Sequence, residues 1–202
     1  MKILPISVAL LVCLTIDSSA QLSFGVKAAI SVNDIHGQNQ VFKSAGNTVG
    51  WNAGVYSNIN LSTKFSLIPE VQIVRRKYDI YGFSETVQVS NVQLNALVSY
   101  APVKMLAIEL GPYVSERVGI NSRFSDKEFA AHAFNKKTEI GLVAGMRFNI
   151  TNSLALTTRY GIGLTPVANS DLRDDQYRPM GLFTQYWRGA ELAVVYQIIK
   201  RG

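Results

Sequence analysis

Residues 139–150 alternate without a break. Ile140, Leu142, Ala144, Met146, Phe148 and Ile150 fall on one phase, with Glu139, Gly141, Val143, Gly145, Arg147 and Asn149 on the other. A two-residue period belongs to an extended strand, whose successive side chains point to opposite faces, whereas a helix would scatter these residues around its circumference. Two further segments repeat the pattern. Leu154, Leu156, Tyr160, Ile162 and Leu164 oppose Ala155, Thr157, Arg159, Gly161 and Gly163; Leu106, Ile108, Leu110 and Val114 oppose Ala107, Glu109, Gly111, Tyr113 and Ser115. Weaker versions fill the rest, and strands are predicted over 22–33, 48–61, 65–78, 86–100, 104–118, 137–150, 153–165 and 181–199. Eight strands close into a small up-and-down barrel that leaves no open edge. The predicted class is all-β, a single domain over residues 21–202.

The connections alternate in length. Short turns are expected at 62–64, 101–103 and 151–153, and long connections at 34–47, 79–84, 121–136 and 166–180. An even strand number with short turns at one end and longer loops at the other is the plan of an antiparallel transmembrane β-barrel. That plan puts the short turns and both termini in the periplasm and the long loops outside.

Alternation alone does not say which face is inside, and a soluble, lipocalin-like ligand-binding barrel would turn its apolar face inward. Three features favour the reverse. Gly25, Gly50, Gly54, Gly111, Gly141, Gly145, Gly161 and Gly163 all fall on the polar phase, and glycine suits the crowded interior of an eight-stranded barrel. The charges on that phase balance: Lys27, Arg76, Arg147 and Arg159 stand against Glu70, Glu109, Glu139 and Glu191, a composition suited to an enclosed ion-pair network. The apolar-phase aromatics lie at strand ends, with Phe24, Phe65, Tyr100, Phe148 and Tyr196 near one rim and Trp51, Tyr78 and Tyr186 near the other. Two aromatic belts match the girdles of a lipid-facing barrel.

Residues 1–20 read as a cleaved signal peptide. Lys2 precedes an apolar stretch over 3–16, and Ser18-Ser19-Ala20 places cleavage before Gln21. That stretch is short for a membrane span. Cys13, the one cysteine, follows Leu10-Leu11-Val12 rather than the small residues of a lipid-attachment site, and the mature chain then has neither disulfide nor thiol chemistry. Charged residues make up only 17%, against roughly 25% in a typical soluble domain, so long disorder and coiled coil are excluded. The net charge of +6 has no dense basic run behind it, so nucleic acid is not an expected partner.

With these segments in place the chain resembles the PorT-like outer-membrane β-barrel family of Bacteroidota-type Gram-negative bacteria. The resemblance is carried by FGVKAAISVND, GWNAGVYSNINLSTKFSLIPEVQI, LAIELGPYVS and EIGLVAGMRFNITNSLALTTRYGIGLT, with Ala29 where an opening glycine is commoner. It implies the barrel and an outer-membrane location and no active site; the family name comes from a member linked to secretion of cell-surface proteases, and the expected function is a non-enzymatic structural or interaction role in envelope assembly or protein export. Such barrels commonly end in an aromatic residue, and Tyr196 is the nearest to the end of this chain.

Candidate chemistry is sparse, and neither a cofactor nor a metal site is expected. His36 has Ser31 and Asp34 nearby, and His132 has Ser125, Asp126 and Glu128 nearby, the residue types of a lipid A-modifying hydrolase or acyltransferase but in no recognised motif. Neither histidine has a zinc-ligand spacing partner. Gly161-Ile162-Gly163 lacks the rest of a nucleotide-binding fingerprint and reads as close packing. Arg123, Lys127, Lys136, Lys137, Arg75, Lys77 and Arg188 are candidates for lipopolysaccharide phosphates. Arg75 and Arg188 lead that set because they fall on the lipid-facing phase, where an unpaired rim charge gains from an anion. The expected partners are outer-membrane lipid, lipopolysaccharide and envelope or secretion proteins.

Overall fold

The computed structural model describes residues 22–38, 48–79, 86–122, 136–173 and 179–201. The expected signal peptide at 1–20 lies outside them, as do residues 39–47, 80–85, 123–135 and 174–178 of the outer connections. Nine strands are described: β1 (Leu22–Gln38), β2 (Thr48–Asn60), β3 (Phe65–Asp79), β4 (Thr86–Val103), β5 (Leu106–Ser122), β6 (Thr138–Asn149), β7 (Leu154–Gly163), β8 (Ala168–Arg173) and β9 (Pro179–Arg201). Each pairs antiparallel with its neighbour in the order 1-2-3-4-5-6-7-9, and β9 pairs back onto β1, which closes an eight-stranded barrel.

The short turns are built by local side chains. Ser62 Oγ accepts from Phe65 N at 3.1 Å, and Thr151 Oγ1 from Leu154 N at 3.0 Å, so a hydroxyl stabilises the reversal in each case. The expected turn at 101–103 is corrected: those residues stay in β4, and the reversal is made by Lys104 and Met105 between the paired Val103 and Leu106. The expected loop at 166–180 is corrected too. It contains β8 and the first residues of β9, which pair with each other beyond the end of β7. Hydropathy missed β8 because its sequence, ANSDLR, has no apolar alternation. The outer strand ends also run further than expected, to Gln38 in β1 and Ser122 in β5.

The apolar phase faces outward. Ile30, Val55, Leu110, Leu142, Leu156 and Leu192 are exposed, while Lys27, Glu70, Glu109, Glu139 and Arg159 on the other phase are buried. A water-surrounded barrel would reverse this, so the soluble alternative is overturned. Phe24, Phe65, Tyr100, Phe148 and Tyr196 are exposed at the short-turn end, with the Phe65 and Tyr100 rings 4.9 Å apart; Trp51 is exposed towards the other end, and the side chain of Tyr78 lies outside the description. From Phe24 to Asp34, the first charge on the outer face of β1, ten residues at about 3.4 Å inclined by about 40° cover roughly 25 Å, the height of a lipid-facing band.

Candidate functional site

The eight strands aim their polar phase at a common axis, and the eight charged residues singled out in the sequence all point there. Arg159 on β7 lies at the centre. Its NH1 and NH2 donate to the two oxygens of Glu70 on β3 at 2.7 and 2.8 Å, and its Nε donates to Glu109 Oε2 on β5 at 2.8 Å. The other Glu109 oxygen accepts from Arg147 Nε at 2.6 Å. Lys27 on β1 pairs with Glu191 of the adjacent β9 and lies 3.7 Å from Glu70, and Asn52 Nδ2 holds the second Glu191 oxygen at 2.8 Å. Two-point arginine–carboxylate contacts fix orientation as well as charge.

A second centre lies nearer the outer end. Arg76 NH1 donates to Glu139 Oε2 at 2.7 Å, and the Tyr113 hydroxyl donates to the other Glu139 oxygen. A chain of amides joins the two centres: Arg76 NH2 donates to Gln93, Gln93 to Asn95 and Asn95 to Glu70. Four cations thus meet four carboxylates in water-poor surroundings, where an unmatched charge would be costly.

Trp187 was not anticipated from the sequence. It lies inside the barrel with Arg76 over its ring, 3.9 Å from the centroid, and its Nε1 donates to Asn33 Oδ1 at 3.1 Å. The ring rests on the cross-strand pair Gly161 and Gly189; a Cβ at either would come within 2.8 Å of it. Tyr113 lies in the same way over its pair Gly141. These glycines give up side chains where an aromatic ring takes the space. Gly161→Val is therefore expected to displace Trp187 and cost about 1–3 kcal/mol. A changed Trp187 emission and a lower urea midpoint, in a Trp51→Phe background, would show it.

The polar centre has apolar layers on both sides. Ile59, Ile68, Leu97, Ala155 and Val195 fill the lumen near the short turns, and Ile35, Val87, Val89 and Val167 fill it near the outer mouth. A void of about 20 Å³ is bordered by Asn52 and Gln72, whose Oδ1 and Oε1 atoms are buried without a hydrogen-bond partner among the described residues, which makes it fit for a single water.

The other candidates separate. His36 lies on the outward phase of β1 with its ring 5.9 Å from Tyr186, while Ser31 faces the lumen and accepts from Asn33, so those two are on opposite faces of the sheet and form no catalytic pair. His132, Ser125, Asp126 and Glu128 lie outside the described residues, as do Arg123 and Lys127. Arg75 is exposed beside Trp51, 5.2 Å from its ring centroid. Arg188 is not the unpaired rim charge expected. Its Nε and NH2 donate to Asp34 Oδ2 at 2.7 and 2.6 Å, across the β1–β9 pairing.

A family model described as "Outer membrane protein beta-barrel domain" matches residues 17–169, more than half of the chain. The chain belongs to this outer-membrane β-barrel family. Its members' place is the bacterial outer membrane, where the exposed apolar face of this barrel meets lipid. Among solved structures, this outer-membrane barrel is similar to Neisserial surface protein A, at 14% identity over 88% of this chain and 99% of that one, with a TM-score of 0.55. It is similar to OprG from Pseudomonas aeruginosa at 10% identity over 89% and 96%, with a TM-score of 0.50. Ail of Yersinia pestis, solved in complex with the heparin analogue sucrose octasulfate, aligns at 15% identity over 89% and 99%, with a TM-score of 0.48. Among curated proteins none matches the chain.

Proposed function

We propose that this barrel is a non-enzymatic, plugged outer-membrane protein of the PorT-like kind, acting through structure or interaction in envelope assembly or protein export. The carrying observation is the filled lumen: among the described residues, a charge-balanced network enclosed by apolar layers on both sides, with two voids of about 20 Å³ each. An interior of that kind gives a solute no route and a substrate no room, which leaves the loops, the rims and the lipid-facing wall as working surfaces. In this reading the eight lumen charges are structural, residues 1–20 are removed on export, and Arg75 meets lipopolysaccharide phosphate beside the Trp51 ring. Arg188 would do so only by exchanging Asp34 for the phosphate.

Planar-bilayer recording tests the plug. Purified monomers are expected to insert without steady current. Large, stable, water-filled conductance would overturn the reading.

A further inference from the structure

The geometry points to an oxyanion-binding site at the outer mouth of the lumen, taking a phosphate or sulfate group between β4, β5 and the start of β6. It stands apart from the outward-facing rim arginines and holds whether or not those meet lipopolysaccharide. Three observations meet there.

The first is a β-bulge. Ser90 pairs with Gly119 but Asn91 with Arg117, so Val118 is an extra residue in β5 and is left exposed. Bulges re-aim neighbouring side chains and recur beside binding sites. Here the bulge follows Arg117, which borders the second lumen void together with Ser115 and Asn91.

The second is charge. Among the described residues the void is bordered by four cations, Arg76, Arg117, Lys136 and Lys137, and one carboxylate, Glu139. That carboxylate is already engaged by Arg76 and Tyr113. Among the described residues the balanced charge of the lumen thus gives way to a positive excess at its mouth. Lys136 and Lys137 are exposed on the segment entering β6, and the backbone N–H of Arg117 donates to the Lys137 carbonyl at 2.8 Å, which ties the two strands together at this height.

The third is an unfilled hydrogen-bonding demand. Ser115 is 1% exposed and Asn91 5%, and Ser115 Oγ and Asn91 Oδ1 have no hydrogen-bond partner among the described residues. A buried polar atom without a partner is costly and calls for an explanation. The Ser115 hydroxyl can donate to a ligand oxygen. The Asn91 amide does so when its oxygen and nitrogen are exchanged, since such an assignment is set by the ligand it meets. The void measures about 20 Å³, which admits one oxygen-sized atom. The fitting ligand is therefore a tetrahedral anion with one oxygen inserted towards Ser115 and the others against the lysine ammonium groups. A free anion and the phosphorylated sugar of a lipid headgroup share that chemistry.

The test uses the refolded full-length protein in uncharged maltoside micelles, with backbone amide resonances followed during titration with inorganic phosphate, inorganic sulfate, and bisphosphorylated or dephosphorylated lipid A. Saturable shifts at Ser115, Arg117 and Lys137 are expected. Saturation by inorganic phosphate or sulfate assigns the site to a free anion; saturation only by the bisphosphorylated lipid assigns it to a headgroup. The double variant Lys136→Ala with Lys137→Ala, both exposed and tolerant of change, is expected to weaken binding roughly tenfold or more, and Ser115→Ala by several-fold. Lys64→Ala at the opposite end serves as the control and is expected to bind as the parent does. Absence of saturation by phosphate, sulfate and the bisphosphorylated lipid, equal saturation by the dephosphorylated lipid, or unchanged affinity in the folded double-lysine variant would overturn the proposal.

Discussion

Arg159→Leu is expected to destabilise the barrel more than any other single lumen substitution, on the order of 3–5 kcal/mol. One guanidinium holds Glu70 through two nitrogens, holds Glu109 through a third contact and lies 3.6 Å from Glu191. Its removal leaves Glu70, Glu109 and Glu191 close together, with Lys27 and Arg147 as the cations described beside them. Arg159→Lys should recover only part of the loss, because a point charge cannot reproduce the planar fork that meets Glu70 and Glu109 together. Arg147→Leu is expected to cost less, since Glu109 keeps Arg159 when Arg147 is gone. Urea titration in lipid vesicles, read by tryptophan emission and by heat-dependent mobility on gels, measures the series. A loss below about 1 kcal/mol for Arg159→Leu, the size of an ordinary hydrogen bond, would deny the residue its central place.

Leu110→Arg is the complementary experiment on the outer wall. Leu110 is 57% exposed midway along the apolar face of β5. A charge at the midplane of a lipid-facing wall costs about 2–4 kcal/mol, whereas an exposed site on a water-soluble barrel would tolerate it within about 0.5 kcal/mol. The variant should therefore insert poorly into vesicles and unfold at lower urea, while Ser62→Arg in the turn between β2 and β3 behaves like the parent. Equal behaviour of the two variants would contradict a lipid-facing Leu110.

Which face each side chain takes was legible because a period of two leaves only one choice, and a single sound assignment, such as that of residues 139–150, fixes its neighbours once strands pair. Height along the axis was not legible. Val87, Val89, Leu97 and Val195 share the polar phase with Glu109 and Arg159, and only the register shows that they form layers on either side of the charges. Pairing partners were hidden for the same reason. Arg159 meets Glu70 across the lumen from a strand four places away, and nothing in their sequence spacing marks it. Trp187 escaped notice because an aromatic on the polar phase looks like an interruption until Gly161 and Gly189 are seen beneath it. The bulge at Val118 leaves two adjacent residues, Val118 and Gly119, exposed, and periodicity reads such a place as the end of a strand. Asp34 beside Arg188 was missed because the pair joins the first and last strands.

That first-to-last seam has a further consequence. β1 and β9 pair from Leu22 with Arg201 to Gln38 with Thr184, so the first described strand must wait for the last. Until translation of β9 is finished, two raw sheet margins stand open, each a template for a stray chain. Contacts so remote along the polypeptide make for slow closure. A chain cut short before β9 is therefore left with a sheet that cannot seal.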